Sequence, residues 1–485
     1  MKKKPVSPIL LDRKKNISLQ SQVIFGLKEL MHAGALQPGE PVPSSRELAR
    51  DLHVSRNTII NAYDRLIGEG YLDASPRRGL FVSESLKNIR ELREKGSSDP
   101  ISELSFHGPH GEKHTGNNPR PFRPSQPDVR LFPLTLWNRM RGRALKKNGI
   151  NLLHYHSELA LGLPALRQCL ATYLQNSRGV RCDWRQIAIT TGSQQALFLL
   201  SNLLLNPRKR VAMEDPGYLG ARLAFARVGA VIQPVSVDED GLRLQAARKG
   251  FEPELIYTTP SRQFPTGACL SLSRRASLVE FAARTKAWIV EDDYDSEFRY
   301  TRPPLPSLHS LDVVGRVIYV GSMSKVLFPS LRIGYVVLPA TLVEEFAQLR
   351  WVIDEYGPLI DQATLAEFIE VGAFYTHIRR CRREYGERLS TFLQVANRMG
   401  LSLTFPHTDG GMNLAGFLPA GANDQKLSEL LISNGLEAPP LSRYGIKKTR
   451  PGFIFGFSAF DHQTIRKSLE LFASILSNNT KMGCV

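Results

Sequence analysis

Residues 319–339 read YVGSMSKVLFPSLRIGYVVLP. An apolar run ends at Val320, a Gly-Ser turn follows, and a second apolar run begins after Arg332. Short apolar runs bounded by turn residues read as buried strands. Lys325 therefore stands at the end of a rigid element, with Arg332 seven residues on. An amine that condenses with an aldehyde cofactor needs such a place, near cations or apolar walls that discharge it. Arg332 offers a planar fork for a phosphate, and the hydroxyls of Ser322 and Ser324 offer neutral donors. A Ser-Lys pair alone is an ordinary surface feature, so the neighbouring strings decide.

Working outward, apolar runs recur at 185–192 (RQIAITTG), 209–218 (KRVAMEDPGY), 230–237 (AVIQPVSV), 254–261 (ELIYTTPS), 287–294 (AWIVEDDY) and 316–322 (RVIYVGS). Helical patterns separate them, which indicates βα units and a mostly parallel sheet over residues 131–480. In AITTGSQQALFLL a strand, a Gly-Ser turn and a helix follow one another, so the amides of Ser193 and Gln194 open an anion site. In AWIVEDDYDSEF, Asp292 and Tyr294 lie just past a buried strand. A carboxylate there can pair with a pyridine nitrogen, and a tyrosine can bond a phenolic ring oxygen. Asp293 is the alternative to Asp292, and alternation along the strand end favours Asp292.

Residues 17–85 have another pattern. Val23, Leu27 and Leu30 fall at helical spacing. Ser44 with Glu47 marks the start of a short helix with Leu48, Ala49 and Leu52 on its buried stripe. Ser55 caps a third helix that exposes Arg56, Asn57 and Thr58 and buries Ile59, Ala62, Tyr63 and Leu66. YLDA, SPRRG and LFVS then read as a hairpin. This is the winged helix-turn-helix layout, in which the third helix enters the major groove N-terminus first. Residues 1–16 are a basic tail. Residues 86–130, rich in Gly, Pro, His, Asn and charge, read as a flexible linker.

The chain has 485 residues, enough for several domains without disulfide or metal staples. Its net charge is +17, and residues 1–95 carry 17 basic and 11 acidic side chains, a balance that favours a polyanionic partner. The five cysteines (Cys169, Cys182, Cys269, Cys381, Cys484) are scattered, with no CxxC pair, and read as reduced thiols rather than metal ligands. No stretch is long and apolar enough to span a membrane, and the basic start lacks the apolar run of a signal peptide. A cytoplasmic protein is expected.

PxSRELARDLxVSRNTxxxAYxxLxxEGYL resembles the GntR family of bacterial regulators. The resemblance implies that Arg46, Ser55, Arg56, Asn57 and Thr58 contact DNA, with Gly79 at the wing tip. The family wing often reads GSGTFV. Here it is RRGLFV, so Arg77 and Arg78 are expected to add phosphate or minor-groove contacts. In the body, GSQQA, EDPGY, TPSRQFPTG, EDDY and SMSKxxxPxxRIG, in that order, resemble the fold-type I aminotransferases. That resemblance implies an α/β body with a smaller C-terminal subdomain and pyridoxal 5'-phosphate held as an aldimine on Lys325. It also implies that Asp292 holds the ring nitrogen, Tyr294 contacts the ring oxygen and Tyr218 stacks on the ring. Ser193, Gln194, Ser322 and Arg332 would hold the phosphate.

Three departures stand out. Tyr294 is two residues after Asp292 where the enzymes have Asp-x-x-Tyr. RQFPTG replaces HNPTG, with Phe264 at the asparagine position and Arg262 and Gln263 of open role. Ile454 stands where the enzymes carry a substrate-carboxylate arginine, and Arg443 and Arg450 are nearby candidates without a placement. Head, linker and body together resemble the MocR (GabR-like) subfamily of regulators. This implies a homodimer on double-stranded operator DNA that answers to a small-molecule effector, an amino compound or pyridoxal phosphate itself. Any enzymatic activity is expected to be a residual half-reaction. Two other readings stay open: an active aminotransferase with a DNA-binding head, and a cofactor-free repressor whose large domain only dimerises.

Overall fold

The computed structural model describes residues 9–13, 17–75, 79–87, 119–244, 252–301, 303–447 and 449–480. They fall in two units, Met1–Thr115 and Gly116–Val485. Arg77, Arg78, Cys484 and most of the expected linker lie outside the described residues.

The head contains α1 (Leu19–His32), α2 (Ser45–Asp51), α3 (Arg56–Gly68), β1 (Leu72–Ser75) and β2 (Gly79–Val82). Each helix starts on a serine whose hydroxyl takes a free amide: Ser18 from Ser21, Ser44 from Glu47 and Ser55 from Thr58. The inward stripes meet in one core of Val23, Leu27, Leu48, Ile59, Ala62 and Leu66, closed by Leu72 and Val82 of the hairpin. Tyr63 adds its ring to this core and donates its hydroxyl to the Pro43 carbonyl at 2.8 Å.

In the body, every one of the seven apolar runs forms a strand: β3 (Ile187–Thr190), β4 (Arg210–Asp215), β5 (Val231–Asp238), β7 (Leu255–Thr258), β8 (Trp288–Asp293), β9 (Val317–Ser322) and β10 (Gly334–Val337). A two-residue strand, β6 (Gly241–Leu242), completes a sheet of order β3-β10-β9-β8-β7-β4-β5-β6. The sheet is parallel from β5 through β9. It is antiparallel at β10, which lies between β3 and β9, and at β6. Side chains alternate between two apolar layers. Ile189, Tyr319 and Tyr335 pack with helices Pro164–Arg178 and Leu359–Glu370 on one face. Ala188, Val320 and Val336 pack with helices Ser193–Leu204 and Leu219–Arg227 on the other. Covering on both faces explains why these strands are apolar at consecutive positions.

The smaller subdomain pairs β11 (Asn413–Phe417) with β12 (Gly452–Gly456) and packs helices Ala373–Arg398, Asp424–Ser433 and His462–Thr480 against them. Its core includes Phe122, from the stretch expected to be linker. Phe122 meets the rings of Phe392, Phe455 and Phe472 at 5.9, 5.3 and 6.2 Å, and its carbonyl accepts from the Gly456 amide. Asp128 is buried between Arg130 and Arg388. Burial raises its pKa, but hydrogen bonds from both arginines outweigh that and hold it below the usual carboxylate range. The expected boundary at residue 130 is therefore corrected: residues 119–130 belong to the body. Local composition there is polar and turn-rich, and the partners lie hundreds of positions away. Phe122→Ala should destabilise the body by about 3–5 kcal/mol through the cavity it leaves in an aromatic core. Denaturant titration would show this as a lower midpoint of the body transition; a linker residue would leave that midpoint in place.

Candidate functional site

Lys325 lies in a single turn of helix, Met323–Val326, directly after β9. Parallel pairing sets Asp292 of β8 beside Val320 of β9, so the aspartate and the lysine reach the same strand ends. The Lys325 amine sits 5.9 Å from the Tyr294 ring centroid. Burial lowers its pKa, against the pull of Asp295 and Asp292, and Arg332 lowers it further. The amine is thereby shifted toward its uncharged, nucleophilic form.

Asp292 Oδ2 accepts from the Tyr257 hydroxyl at 2.7 Å, while Oδ1 is buried with no partner. Burial pushes the Asp292 carboxyl up to about 6, against the Tyr257 hydrogen bond and the charge of Lys325. Asp293 points to the other face of β8, where its Oδ2 takes Arg178 Nε at 2.8 Å and the Tyr319 hydroxyl at 2.6 Å. Of the two candidates, Asp292 is the one on the side of the lysine.

At the other end of the cleft, Gly334 pairs with both Thr190 and Ser322. The end of β3, the end of β9 and the start of β10 thus converge. Gly192, at φ 116°, turns the chain into helix Ser193–Leu204, and Ser193 and Gln194 are that helix's first residues. A Cβ on Gly192 would lie 2.9 Å from Arg332 Nη2, so the guanidinium stands over the helix N-terminus. Arg332 itself is left-handed at φ 51°, an uncommon conformation for a residue with a side chain. No described carboxylate pairs with it. Ser322 ends β9, and Ser324 Oγ is buried without a partner. Two positive elements face one another here, and across the cleft a carboxylate oxygen lacks a donor. This donor set fits the phosphate and the protonated ring nitrogen of pyridoxal phosphate.

The wall between these ends is aromatic. Phe264 meets Tyr218, Tyr294 and Tyr444 edge-on at 5.8, 6.0 and 5.1 Å. The Tyr218 hydroxyl donates to Gln194 Oε1 at 3.1 Å, and burial pushes its pKa up to about 12. Gln263 is fully engaged, donating to the Pro216 carbonyl at 2.8 Å and accepting from the Thr266 hydroxyl at 2.6 Å, so it does not replace the missing asparagine. Arg262 is engaged with Thr408, the Asn413 carbonyl and Asp295. Ile454 is fully buried with Ala415, Leu441 and Tyr444. Arg450 lies over the Phe417 ring at 4.6 Å, and Arg443 sits half-buried in the turn Leu441–Tyr444.

Sequence reading missed two contributors. Tyr257 fixes Asp292, and its only signal was its position on the strand beside β8. Asp295 is buried, pushed up to about 6 by burial, and acts on Lys325. Its signal was the run of acids in EDDYD.

In the head, Arg46, Ser55, Arg56 and Asn57 are exposed and Thr58 is half-buried. Arg56 Nε reaches Ser45 Oγ at 3.4 Å, which places Arg56 beside the start of α2. The Ser55 and Thr58 hydroxyls bond each other at 2.7 Å, so both first serve as a cap. Gly79 opens β2 at φ 96° with open space around it.

Residues 19–82 match the model of the GntR family of bacterial regulatory proteins, and residues 159–450 that of aminotransferase class I and II. The chain is 35% identical to the probable rhizopine catabolism regulatory protein MocR of Rhizobium meliloti, over 95% of this chain and 94% of that protein. It is 31% identical to the pyridoxine biosynthesis transcriptional regulator PdxR of Corynebacterium glutamicum, over 95% and 96%. Among solved structures, α-aminoadipate aminotransferase LysN from Thermus thermophilus, complexed with N-(5'-phosphopyridoxyl)-L-leucine, superposes with a TM-score of 0.69 at 27% identity, over 74% of this chain and 92% of that one.

The raised pKa of Asp292 has a stability consequence. The folded state binds its proton more tightly than the unfolded state, so its contribution is present at low pH and lost as pH rises from about 4 through about 6. In the cofactor-free protein, Asp292→Asn should remove this dependence. The stability of wild type relative to the variant should fall by about 2–3 kcal/mol across that window, measured by urea unfolding at stepped pH. A flat difference would mean that the carboxylate is not desolvated.

Proposed function

The chain belongs to the GntR family of bacterial regulatory proteins, in the MocR-like group with an aminotransferase-like body, and from that membership we propose that it holds pyridoxal 5'-phosphate on Lys325 and reads a small molecule there. It is a DNA-binding transcription regulator. The observation that carries the cofactor reading is the pair of unmet demands in one cleft: Asp292 Oδ1 without a donor and Arg332 without a paired carboxylate among the described residues. When bound, the cofactor supplies an aldehyde for an amine and a ring that withdraws electrons from the resulting nitrogen. Lys325 offers the amine, Asp292 accepts the hydrogen bond of the ring nitrogen, and Tyr294 and Tyr218 bound the ring. Ser193, Gln194, Ser322 and Arg332 face the phosphate.

Efficient transamination of α-amino acids is disfavoured by the same geometry. Ile454 and Phe264 put an apolar wall where the resembling enzymes carry an arginine and an asparagine. The effector read here is an amine without a carboxylate at that point, or the cofactor itself. A cofactor-free scaffold would have no use for Arg332 held over a helix N-terminus with no carboxylate paired to it among the described residues.

We also propose a homodimer. Ile150, Leu153 and Tyr155 are 66%, 66% and 90% exposed, and Trp351 and Val352 are 54% and 74%. Tyr356 joins the two segments, since its hydroxyl takes the His156 amide at 3.3 Å. Gln195 Nε2 donates to Asp354 at 2.9 Å, which sets this apolar surface beside the phosphate end of the cleft. Large exposed apolar side chains on neighbouring segments are what an interface would cover.

Absorption spectroscopy tests the cofactor reading. Wild type mixed with pyridoxal phosphate should keep a visible band through dialysis, and Lys325→Ala should lose it. Arg332→Ala should bind the cofactor about tenfold to a hundredfold more weakly, the loss of one charge-assisted pair of about 1.5–3 kcal/mol. A band that persists in Lys325→Ala would assign the amine to another lysine.

For DNA, Arg56→Ala should narrow the gap between operator and scrambled duplex by about 1–3 kcal/mol, because its bidentate pairing with guanine is gone. Replacing Arg77 and Arg78 by alanine should weaken both duplexes together and flatten the salt dependence by about one unit of log–log slope for each phosphate no longer neutralised. Gel-shift titrations in a salt series read both effects. Loss of specificity in the wing variant alone would make the wing the reader.

A further inference from the structure

Behind β8, on the side away from Lys325, lies a cavity of about 340 Å³ that none of the groups above explains. It opens where three parts of the chain converge: the end of helix Pro164–Arg178, residues Ser296, Glu297 and Pro304, and the start of helix Ala373–Arg398. Tyr173 and Tyr375 form its wall, their ring centroids 6.2 Å apart, and Ile378 lies on the same helix as Tyr375. Deeper in, Ser296 Oγ is buried without a hydrogen-bond partner. Beside it Glu297 is buried and accepts from the Tyr173 hydroxyl at 2.7 Å.

Arg379 and Arg382 also line it, three residues apart and so on one face of the helix. Both are exposed, and neither pairs with a carboxylate among the described residues. Arg379 Nη2 reaches only the Thr376 hydroxyl at 3.0 Å, and Arg382 Nε donates to the Glu297 carbonyl. The third arginine of the cavity, Arg178, is neutralised by Asp293 at 2.8 Å.

We propose that this cavity is a second ligand site, for a small organic acid. Its anionic head lies on Arg379 and Arg382, a ring or apolar body lies against Tyr173 and Tyr375, and a hydroxyl or amino group at the far end meets Ser296 and Glu297. The volume falls within the range of small-molecule pockets, and a few polar groups around an aromatic wall are their usual composition. Two guanidinium groups without acids supply the charge for the head.

The site is separate from the cofactor cleft, because Asp292 and Asp293 point to opposite faces of β8. It is nonetheless coupled to it through the chain. Ser296 and Glu297 directly follow Asp295, whose charge acts on Lys325. A ligand that engages Ser296 and Glu297 therefore alters the surroundings of the lysine, and by linkage whatever occupies the cleft alters the affinity of the cavity. The coupling rests on the cofactor reading above; the binding does not.

The test uses the full-length protein and 4-hydroxybenzoate, which carries a ring, a carboxylate and an opposed hydroxyl. Calorimetric titration of wild type should show saturable binding to one site per chain. The double variant Arg379→Ala/Arg382→Ala, altered only at exposed positions, should weaken it at least about tenfold, the scale of removing a charge-assisted hydrogen bond. With both proteins stripped of cofactor, so that linkage through the cleft plays no part, Arg332→Ala should leave it unchanged. Equal affinity in wild type and the double variant would overturn the proposal. So would a loss in Arg332→Ala, which would place the probe in the cleft. Inorganic phosphate binding as tightly as the ring acid would also overturn it, since the arginines would then be an anion patch without a cavity. A missing cofactor band in the spectroscopic test would refute the cofactor reading without touching this one.

Discussion

A Cβ on Gly334 would lie 2.8 Å from the Gly192 backbone, and the whole cleft depends on that vacancy. β10 can lie between β3 and β9 only if its first residue has no side chain. With that residue bare, the turn after β3, the end of β9 and Arg332 crowd into one place. A helix N-terminus and a guanidinium then face the same point, an arrangement that repels itself unless an anion stands between them. The left-handed backbone at Arg332 is the other half of this constraint. It turns the arginine back over Gly192 instead of letting it continue along the strand, and such conformations persist where the surroundings hold them in place.

β8 shows how one strand can serve two purposes with adjacent carboxylates. Asp293 is tied to Arg178 and Tyr319 and is a structural member of the body. Each keeps its Oδ1 without a partner, but Asp292 receives a single hydroxyl and no ion pair among the described residues. Both are buried, so the difference lies in what faces them. A desolvated carboxylate with an open lone pair is costly in the empty protein, and that cost is relieved by a cationic N–H brought into the cleft. The stability of the body and the affinity for a protonated ring are thus two sides of one balance.

What was legible in the sequence was whatever is encoded locally. The serine caps of the head, its buried stripes at Ile59, Ala62, Tyr63 and Leu66, and the seven apolar runs of the sheet are each set by neighbours a few positions away. That Lys325, Asp292 and Arg332 stand at neighbouring strand ends was legible, because strand ends fix where side chains emerge. What was not legible depends on packing between distant stretches of chain. Phe122 looks like a linker residue until Phe455 and Phe472 surround it. Tyr257 is one apolar-run residue among many until parallel pairing sets β7 beside β8. Gln263 could not be separated from a ring contact until Pro216 and Thr266 were seen to use both ends of its amide. The wing arginines fall outside the described residues, so their role rests on the hairpin position alone.

The residues kept and the residues changed in the cleft divide along one physical line. Lys325, Asp292, Tyr218 and Arg332 are the residues proposed to hold the cofactor. Phe264 and Ile454 occupy positions that, in the resembling enzymes, face the ring oxygen and the substrate carboxylate. Holding a cofactor requires only ground-state complementarity. Turning over an amino acid requires interactions that strengthen in the transition state, and a carboxylate anchored by a fixed arginine supplies the orientation for them. An apolar wall supplies no such anchor, yet it still excludes water. On the proposed reading the cleft keeps what holding a cofactor requires, and a regulator with a DNA-binding head depends on binding rather than on turnover.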